Sequence, residues 1–186
     1  MIEPPPVPEL HTPRLTLRRI VETDAPGLHL AYGDAETMRF WDSLPSRDEA
    51  ETAVSIRRSL EINPHWHAMF AVMLRTTGAF VGAVNYHFRQ PWTRRLAVGW
   101  IVARPWWQQG FGAEAAGALL DHCFTALDTH RVEAHIEPGN AASRHLAKRL
   151  GFQQEGLMRE WLFVDGEPRD MLLYALLRPD WRPAHD

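Results

Sequence analysis

Cysteine occurs once in the 186 residues, at position 123, so no intrachain disulfide can form. Cys123 falls on an apolar helical spacing and reads as a buried, inert thiol rather than a nucleophile. No apolar run approaches the roughly 20 residues that span a bilayer. The opening residues, Met1-Ile-Glu-Pro-Pro-Pro6, have neither the basic nor the apolar region of a secretory signal. An excess of positive charge is also missing. The formal balance is −3, which gives no global pull toward nucleic acid or anionic lipid. The expectation is a cytoplasmic protein with no direct nucleic-acid or membrane partner. At this length one domain with a substantial core is expected.

What is present centres on Trp107-Gln-Gln-Gly-Phe-Gly112-Ala113, followed by Glu114-Ala-Ala-Gly. A short apolar run over 98–102 leads into it. Beyond it Phe111, Ala115, Leu119 and Cys123 recur at spacings of four and share one helical face. Strand, glycine turn and helix N-terminus form the layout of an anion site. Free backbone N–H groups and the positive end of the helix dipole meet there. Gly110 and Gly112 would let a phosphate approach the backbone. Two familiar phosphate loops fit poorly. A P-loop needs Lys and Ser/Thr after its last glycine, where this chain has Ala113-Glu114, and a dinucleotide fingerprint needs a third glycine, where it has Ala115. The segment alone reads equally well as a tight turn before a helix.

The rest of the chain supplies an order of elements. A Pro-rich arm over 1–12 precedes a domain over 13–182. Strands are expected over 15–20, 66–74, 79–88, 95–103 and 131–136. Thr23-Asp24 suits the start of a helix reaching Gly33, and Ser46-Arg-Asp-Glu49 suits a capping box opening a helix to about Ile62. A helix leaves the glycine loop and runs to about Leu127. Asn140 can cap a further helix ended by Gly151, with Leu146 and Leu150 inward. Segments 152–164 and 169–177 form a hairpin across Asp165-Gly166. Strands followed by alternating strands and helices predict an α/β fold.

The glycine loop, the element order and the run Pro138-Gly-Asn-Ala-Ala-Ser-Arg-His-Leu-Ala-Lys-Arg-Leu-Gly-Phe-Gln-Gln-Glu-Gly156 resemble a GNAT-type N-acetyltransferase. The closest branch is that of the RimJ/RimL-like ribosomal-protein N-terminal acetyltransferases. That branch is also similar in its aromatic approach, Arg104-Pro-Trp-Trp107, and in a late Asp170 before a closing strand. The resemblance covers roughly residues 10–182 and implies a single-domain, mixed, mostly antiparallel sheet flanked by helices, with a splayed central strand pair. It implies acetyl-CoA as co-substrate, a primary amine as acceptor and no metal. Backbone groups at Ile101, Val102 and Ala103 would hold the pantetheine. Trp107, Gln108, Gln109, Gly110, Phe111, Gly112 and Ala113 would take the pyrophosphate. Asn140, Ser143 and Arg144 would lie near the thiol or the nucleotide. Trp107 stands where the broader family has Arg or Gln, and Ala147 where many members carry a general-acid Tyr. In the resembling branch a Ser at the position of Ser143 is the proposed acid. Helix capping alone would also account for Asn140 and Ser143.

The proton acceptor stays open. From Ile62 to Ala113 there is no Asp or Glu, which excludes a carboxylate base from that half of the site. His67, His87 and His135 remain, with Glu133 and Glu137, and water could also relay the proton. Glu133, His135 and Glu137 alternate with Val132, Ala134 and Ile136 and so share one face, either the site or the solvent side. His135 is the one carried forward. An α-amine, with a reference pKa near 8, needs far less help than a lysine amine near 10.4. Arg75, Arg89, Arg94, Arg95 and Arg104 in the same interval would repel a polycation. The favoured acceptor is therefore an α-amine, on a ribosomal or other protein N-terminus or on a small amino compound. Against this, Asp34, Glu36 and Asp42 cluster where a cation could be drawn in. A non-catalytic acyl-CoA-binding or sensing protein is the second reading, and whether the chain forms a homodimer stays open.

Overall fold

A computed structural model describes residues 7–183. Eight strands form one sheet in the order β1-β2-β3-β4-β5-β6-β8-β7. They are β1 (Leu10–His11), β2 (Leu15–Arg19), β3 (Ala68–Leu74), β4 (Phe80–Gln90), β5 (Arg95–Val102), β6 (Arg131–Ile136), β7 (Gln153–Val164) and β8 (Glu167–Leu177). Every neighbouring pair is antiparallel except β5 and β6. Helices α1 (Ala25–Tyr32), α2 (Ala35–Met38) and α3 (Glu49–Glu61) belong to one side of the sheet, and α4 (Phe111–Thr125) and α5 (Ala141–Arg149) to the other.

Strand alternation divides the core in two. Val84 and Tyr86 of β4, Leu96 and Val98 of β5, and Val132, Ala134 and Ile136 of β6 pack with Phe111, Ala115, Leu119 and Cys123 of α4. The helical face expected from spacings of four is therefore the buried one. Cys123 is a free, fully buried thiol whose pKa is pushed up by burial. On the opposite side Phe80, Ala83 and Ile101 pack with Leu28, Met38 and Ile56.

The central feature is a split. β5 and β6 pair only from Arg95↔Arg131 to Ala97↔Glu133. Beyond that point β5 stays with β4 as far as Gly82↔Val102, and β6 stays with β8 as far as Ile136↔Leu172. The facing edges of 98–102 and 134–136 thus diverge, as the resemblance implied. The β7–β8 hairpin turns on Asp165 (φ 52°) and Gly166 (φ 79°), the pair of positive dihedrals that a two-residue hairpin turn requires.

Several sequence expectations need correction. Residues 1–6 of the expected arm lie outside the described residues. Its remainder is tied down, since Leu10–His11 pair with β2 and Thr12 is 4% exposed. Ser46 does not cap α3. Asp48 does, its Oδ1 accepting from Glu51 N at 2.8 Å, while Ser46 N donates to Tyr32 O. The Asp24 side chain does not cap α1, because it is bonded to Arg18 at 2.6 and 2.7 Å. α2 was not foreseen; it is four residues long and its Asp34 cap lies inside the segment read as loop.

Candidate active site

A cleft of about 2320 Å³ runs through the split. One end meets the start of α4, where Gly110 is the N-cap at φ 79°, in the left-handed region that glycine adopts without strain. The first-turn N–H groups of α4 have no intrahelical acceptor and open toward this end. The loop before them is braced. Trp107 Nε1 donates to Val102 O at 2.7 Å, and Gln109 Nε2 to Pro105 O at 3.0 Å. Arg14 reaches across from the start of the chain, donating to Gln109 O at 3.0 Å and to Glu114 Oε2 at 2.6 Å, with its guanidinium 4.4 Å from the Phe111 ring centre.

At the middle, Trp100 Nε1 donates to Ser143 Oγ at 3.2 Å, and Ser143 N donates to Asn140 Oδ1 at 3.0 Å. The first bond uses a lone pair of Ser143 and the second fixes its backbone. The hydroxyl hydrogen keeps its freedom to donate into the cleft. Asn140 is the N-cap of α5, as expected.

The far end is built on alternate residues of three strands. Because Val132, Ala134 and Ile136 face α4, Glu133, His135 and Glu137 face the cleft, and the two-sided ambiguity of the sequence is resolved toward the site. His67, His87 and Asn85 line the same space, with Ala97 and Gly99 as its small floor. His135 Nε2 lies 3.6 Å from Glu133 Oε2 and its ring meets Trp161 edge-on at 5.3 Å. His135, then Arg131 at 2.7 Å, hold the Glu133 carboxyl down at about 2. Glu137 is taken by Arg169 at 3.3 Å.

Burial pushes His87 from the ordinary 6.5 down to about 4, helped by the charges of His135 and His67. His122, packed against Phe70 and Tyr86, falls to about 4 through burial and then Arg89. Both pKa values are depressed relative to the unfolded chain, which therefore binds more protons between 6.5 and 4. The stability that depends on these two rings staying neutral is complete above about pH 6.5 and falls away as pH drops toward 4. The expected result is a flat Tm from pH 8 to 7 and a steep decline below about 6.5, with His122→Phe flattening part of that slope. An unchanged slope in the variant would show that His122 does not drive it.

The chain matches the model of the acetyltransferase (GNAT) domain over residues 14–153. The chain belongs to the GNAT acetyltransferase family. It is 30% identical over 173 residues to an uncharacterised N-acetyltransferase, p20, of Bacillus licheniformis, covering 92% of this chain and 97% of that one. Over 87 residues, 47% of this chain and 45% of the other, it is 36% identical to the [ribosomal protein uS5]-alanine N-acetyltransferase of Escherichia coli. The fold superposes with TM-score 0.79 on RimL, the ribosomal L7/L12 alpha-N-protein acetyltransferase in complex with coenzyme A, at 20% identity and 91% and 98% coverage of the two chains.

In this GNAT acetyltransferase most of the residues singled out from sequence converge. Ile101, Val102, Trp107, Gln108, Gly110, Phe111, Gly112, Ala113, His135, Asn140 and Ser143 line the cleft. Ala103, Gln109 and Arg144 do not. Ala103 is fully buried in the core cluster of Leu28, Met38 and Ile56, Gln109 is turned onto Pro105, and Arg144 donates to Pro138 O. Of the acidic cluster, Glu36 and Asp42 line the cleft, and burial raises the Asp42 carboxyl. Asp34 is instead paired with Arg104 at 2.7 Å. Of the arginines expected to repel a polycation, Arg89 and Arg95 line the cleft, whereas Arg94 pairs with Asp128 and Arg75 donates to Thr12 O. Among the described residues no three His, Cys, Asp or Glu are placed to hold a metal ion. Sequence reasoning passed over Asn85, Gly99 and Arg14. A lone amide within the apolar run 80–86 and a glycine inside a strand were the available signals for the first two.

Proposed function

We propose that the protein transfers the acetyl group of acetyl-CoA to the α-amine of a peptide or protein N-terminus, by direct attack in a ternary complex. The observation that carries this is the cleft itself. It joins an anion-binding helix end to two diverging strand edges and opens onto a face that offers histidines and no carboxylate from 62–113. The diverging edge of β5, around Ile101 and Val102, has no β6 partner and would hydrogen-bond the pantetheine amides. The α4 N-terminus suits the pyrophosphate. Acetyl-CoA supplies the thioester carbonyl that the amine attacks.

Each nearby side chain then has a task. The ammonium gives its surplus proton to His135, which Glu133 orients, and attacks as the neutral amine. A backbone N–H near Val102 stabilises the tetrahedral oxyanion. Ser143 hydrogen-bonds the departing sulfur and carries a proton to it. A site whose base is a histidine suits an α-amine, roughly a tenth of which is already unprotonated at neutral pH. The relative named a [ribosomal protein uS5]-alanine N-acetyltransferase supports a protein acceptor. A cytoplasmic setting fits acetyl-CoA and a ribosomal acceptor.

Calorimetric titration with acetyl-CoA is expected to give micromolar binding. Thiol release is then expected with short peptides bearing free Ala, Ser or Thr N-termini. No binding up to millimolar acetyl-CoA would overturn the proposal. Ser143→Ala is expected to lower kcat by about tenfold to a hundredfold at unchanged acetyl-CoA affinity, the range for one lost contact to the leaving group. An unchanged kcat would remove Ser143 from the chemistry.

A further inference from the structure

Two buried polar atoms on the cleft face of β4 have no partner, Asn85 Oδ1 and His87 Nδ1. Among the described residues only one other side-chain atom shares this condition, Arg144 Nε, outside the cleft. A buried acceptor left unbonded costs stability, so its retention calls for a reason. Both residues line the cleft. They lie two apart on one strand and so point to the same side.

Their register places them at the mouth of the split. His87 lies opposite Ala97, the last β5 residue paired to β6, and Asn85 opposite Gly99, two residues into the divergence. Gly99 presents no side chain there. A Cβ on it would sit 2.6 Å from Asn85 Oδ1, so the amide oxygen lies directly over the strand where the edges part. Glu133 and His135 line the space from the β6 side. The result is a small-floored chamber with two acceptors on one wall and a His–Glu pair on the other.

We propose that Asn85 Oδ1 and His87 Nδ1 are the seat of the acceptor amine, each taking one N–H of a primary amine. This rests on the acetyltransferase reading above. With both N–H groups held, the nitrogen lone pair is left to face the split. The nitrogen bonds to the acetyl carbon, the carbon–sulfur bond breaks, and coenzyme A leaves as the thiol. The ammonium gives its surplus proton to His135 as it is seated, and after attack one of the two held hydrogens leaves the nitrogen and reaches the sulfur, so every proton is accounted for. His87 serves as acceptor with its proton on Nε2, and burial keeps its ring neutral. Two neutral acceptors match a primary amine, whereas an alcohol or a secondary amine offers only one donor.

The test uses the full chain with Asn85→Ala and His87→Phe, which remove each acceptor separately. The probe is a pentapeptide with a free N-terminal alanine. Three quantities are read: kcat/KM for the peptide, Kd for acetyl-CoA, and Tm. In each variant kcat/KM is expected to fall by about 30-fold or more, with acetyl-CoA affinity unchanged. Tm is expected to hold or rise, because an unsatisfied buried acceptor has been removed. A structural residue would instead lose Tm and activity together. Wild-type turnover with kcat/KM unchanged in both variants, or a parallel loss of Tm, would overturn the seat. A wild-type protein that binds acetyl-CoA and acetylates no free-amine peptide would overturn the function on which it rests.

Discussion

Gly112→Trp is expected to abolish acetyl-CoA binding while the fold survives. Gly112 is the second residue of α4, at the end of the cleft where the helix dipole and the free first-turn N–H groups converge. A Cβ there would meet Val102 Cγ2 at 3.4 Å and Leu146 Cδ2 at 3.5 Å, ordinary contacts that the backbone accepts. The small substitution Gly112→Ala is therefore expected to bind nearly normally. An indole is too large for the space between Val102 and Leu146 and must project into the anion position. Affinity is expected to fall at least about 1000-fold, equivalent to about 4 kcal/mol, which removes the calorimetric signal. The substitution lies outside the packed face formed by Phe111, Ala115 and Leu119, so Tm is expected to stay within about 2 °C. Retained binding in the tryptophan variant would mean that the phosphates lie elsewhere. Loss in the alanine variant as well would point to a loop-conformation effect rather than occlusion.

Local chemistry made much of this architecture legible. Asp165-Gly166 named its own turn, because few residue pairs accept two positive φ values in succession. Asn140 named the start of α5, and the spacing of Phe111, Ala115, Leu119 and Cys123 named the buried face of α4. What stayed hidden depends on contacts between distant segments. Alternation put Glu133, His135 and Glu137 on one face, and only the packing of Val132, Ala134 and Ile136 against α4 says that this face is the cleft. Ser46 and Asp48 are both acceptable caps by type, and the bond from Ser46 N to Tyr32 O decides between them. Arg14 sits 95 residues from the loop carbonyl it binds, a distance no local pattern bridges. The position of β8 between β6 and β7 is likewise a matter of sheet pairing. The base assignment shows the same limit. The missing carboxylates of 62–113 were plain in the sequence, but the Glu133–His135 pair became visible only as a distance.

Gly82→Ala is the substitution expected to damage the framework most. Gly82 lies opposite Val102, at the last β4–β5 pair before β5 enters the glycine loop. A Cβ there would fall 2.2 Å from Ile101 O and 2.9 Å from Val102 Cα. Both are backbone atoms of the strand that forms one wall of the split, so no side-chain rotation relieves the clash. β4 and β5 must shift apart locally. Overpacking of this kind costs about 3 kcal/mol. For a chain of this size that lowers Tm by about 6–12 °C. The displacement falls on Ile101 and Val102, the backbone edge assigned to the pantetheine, so acetyl-CoA affinity is expected to weaken about tenfold in the folded fraction. Gly156→Ala is the control, since a Cβ there has nothing within 4 Å and its Tm should match the wild type. Thermal unfolding and calorimetry on the two variants separate the effects. A Gly82→Ala protein with wild-type Tm would show that β4 and β5 accommodate the extra methyl without cost. A large Tm loss with undiminished affinity would instead free the Ile101–Val102 edge from its role in holding the pantetheine.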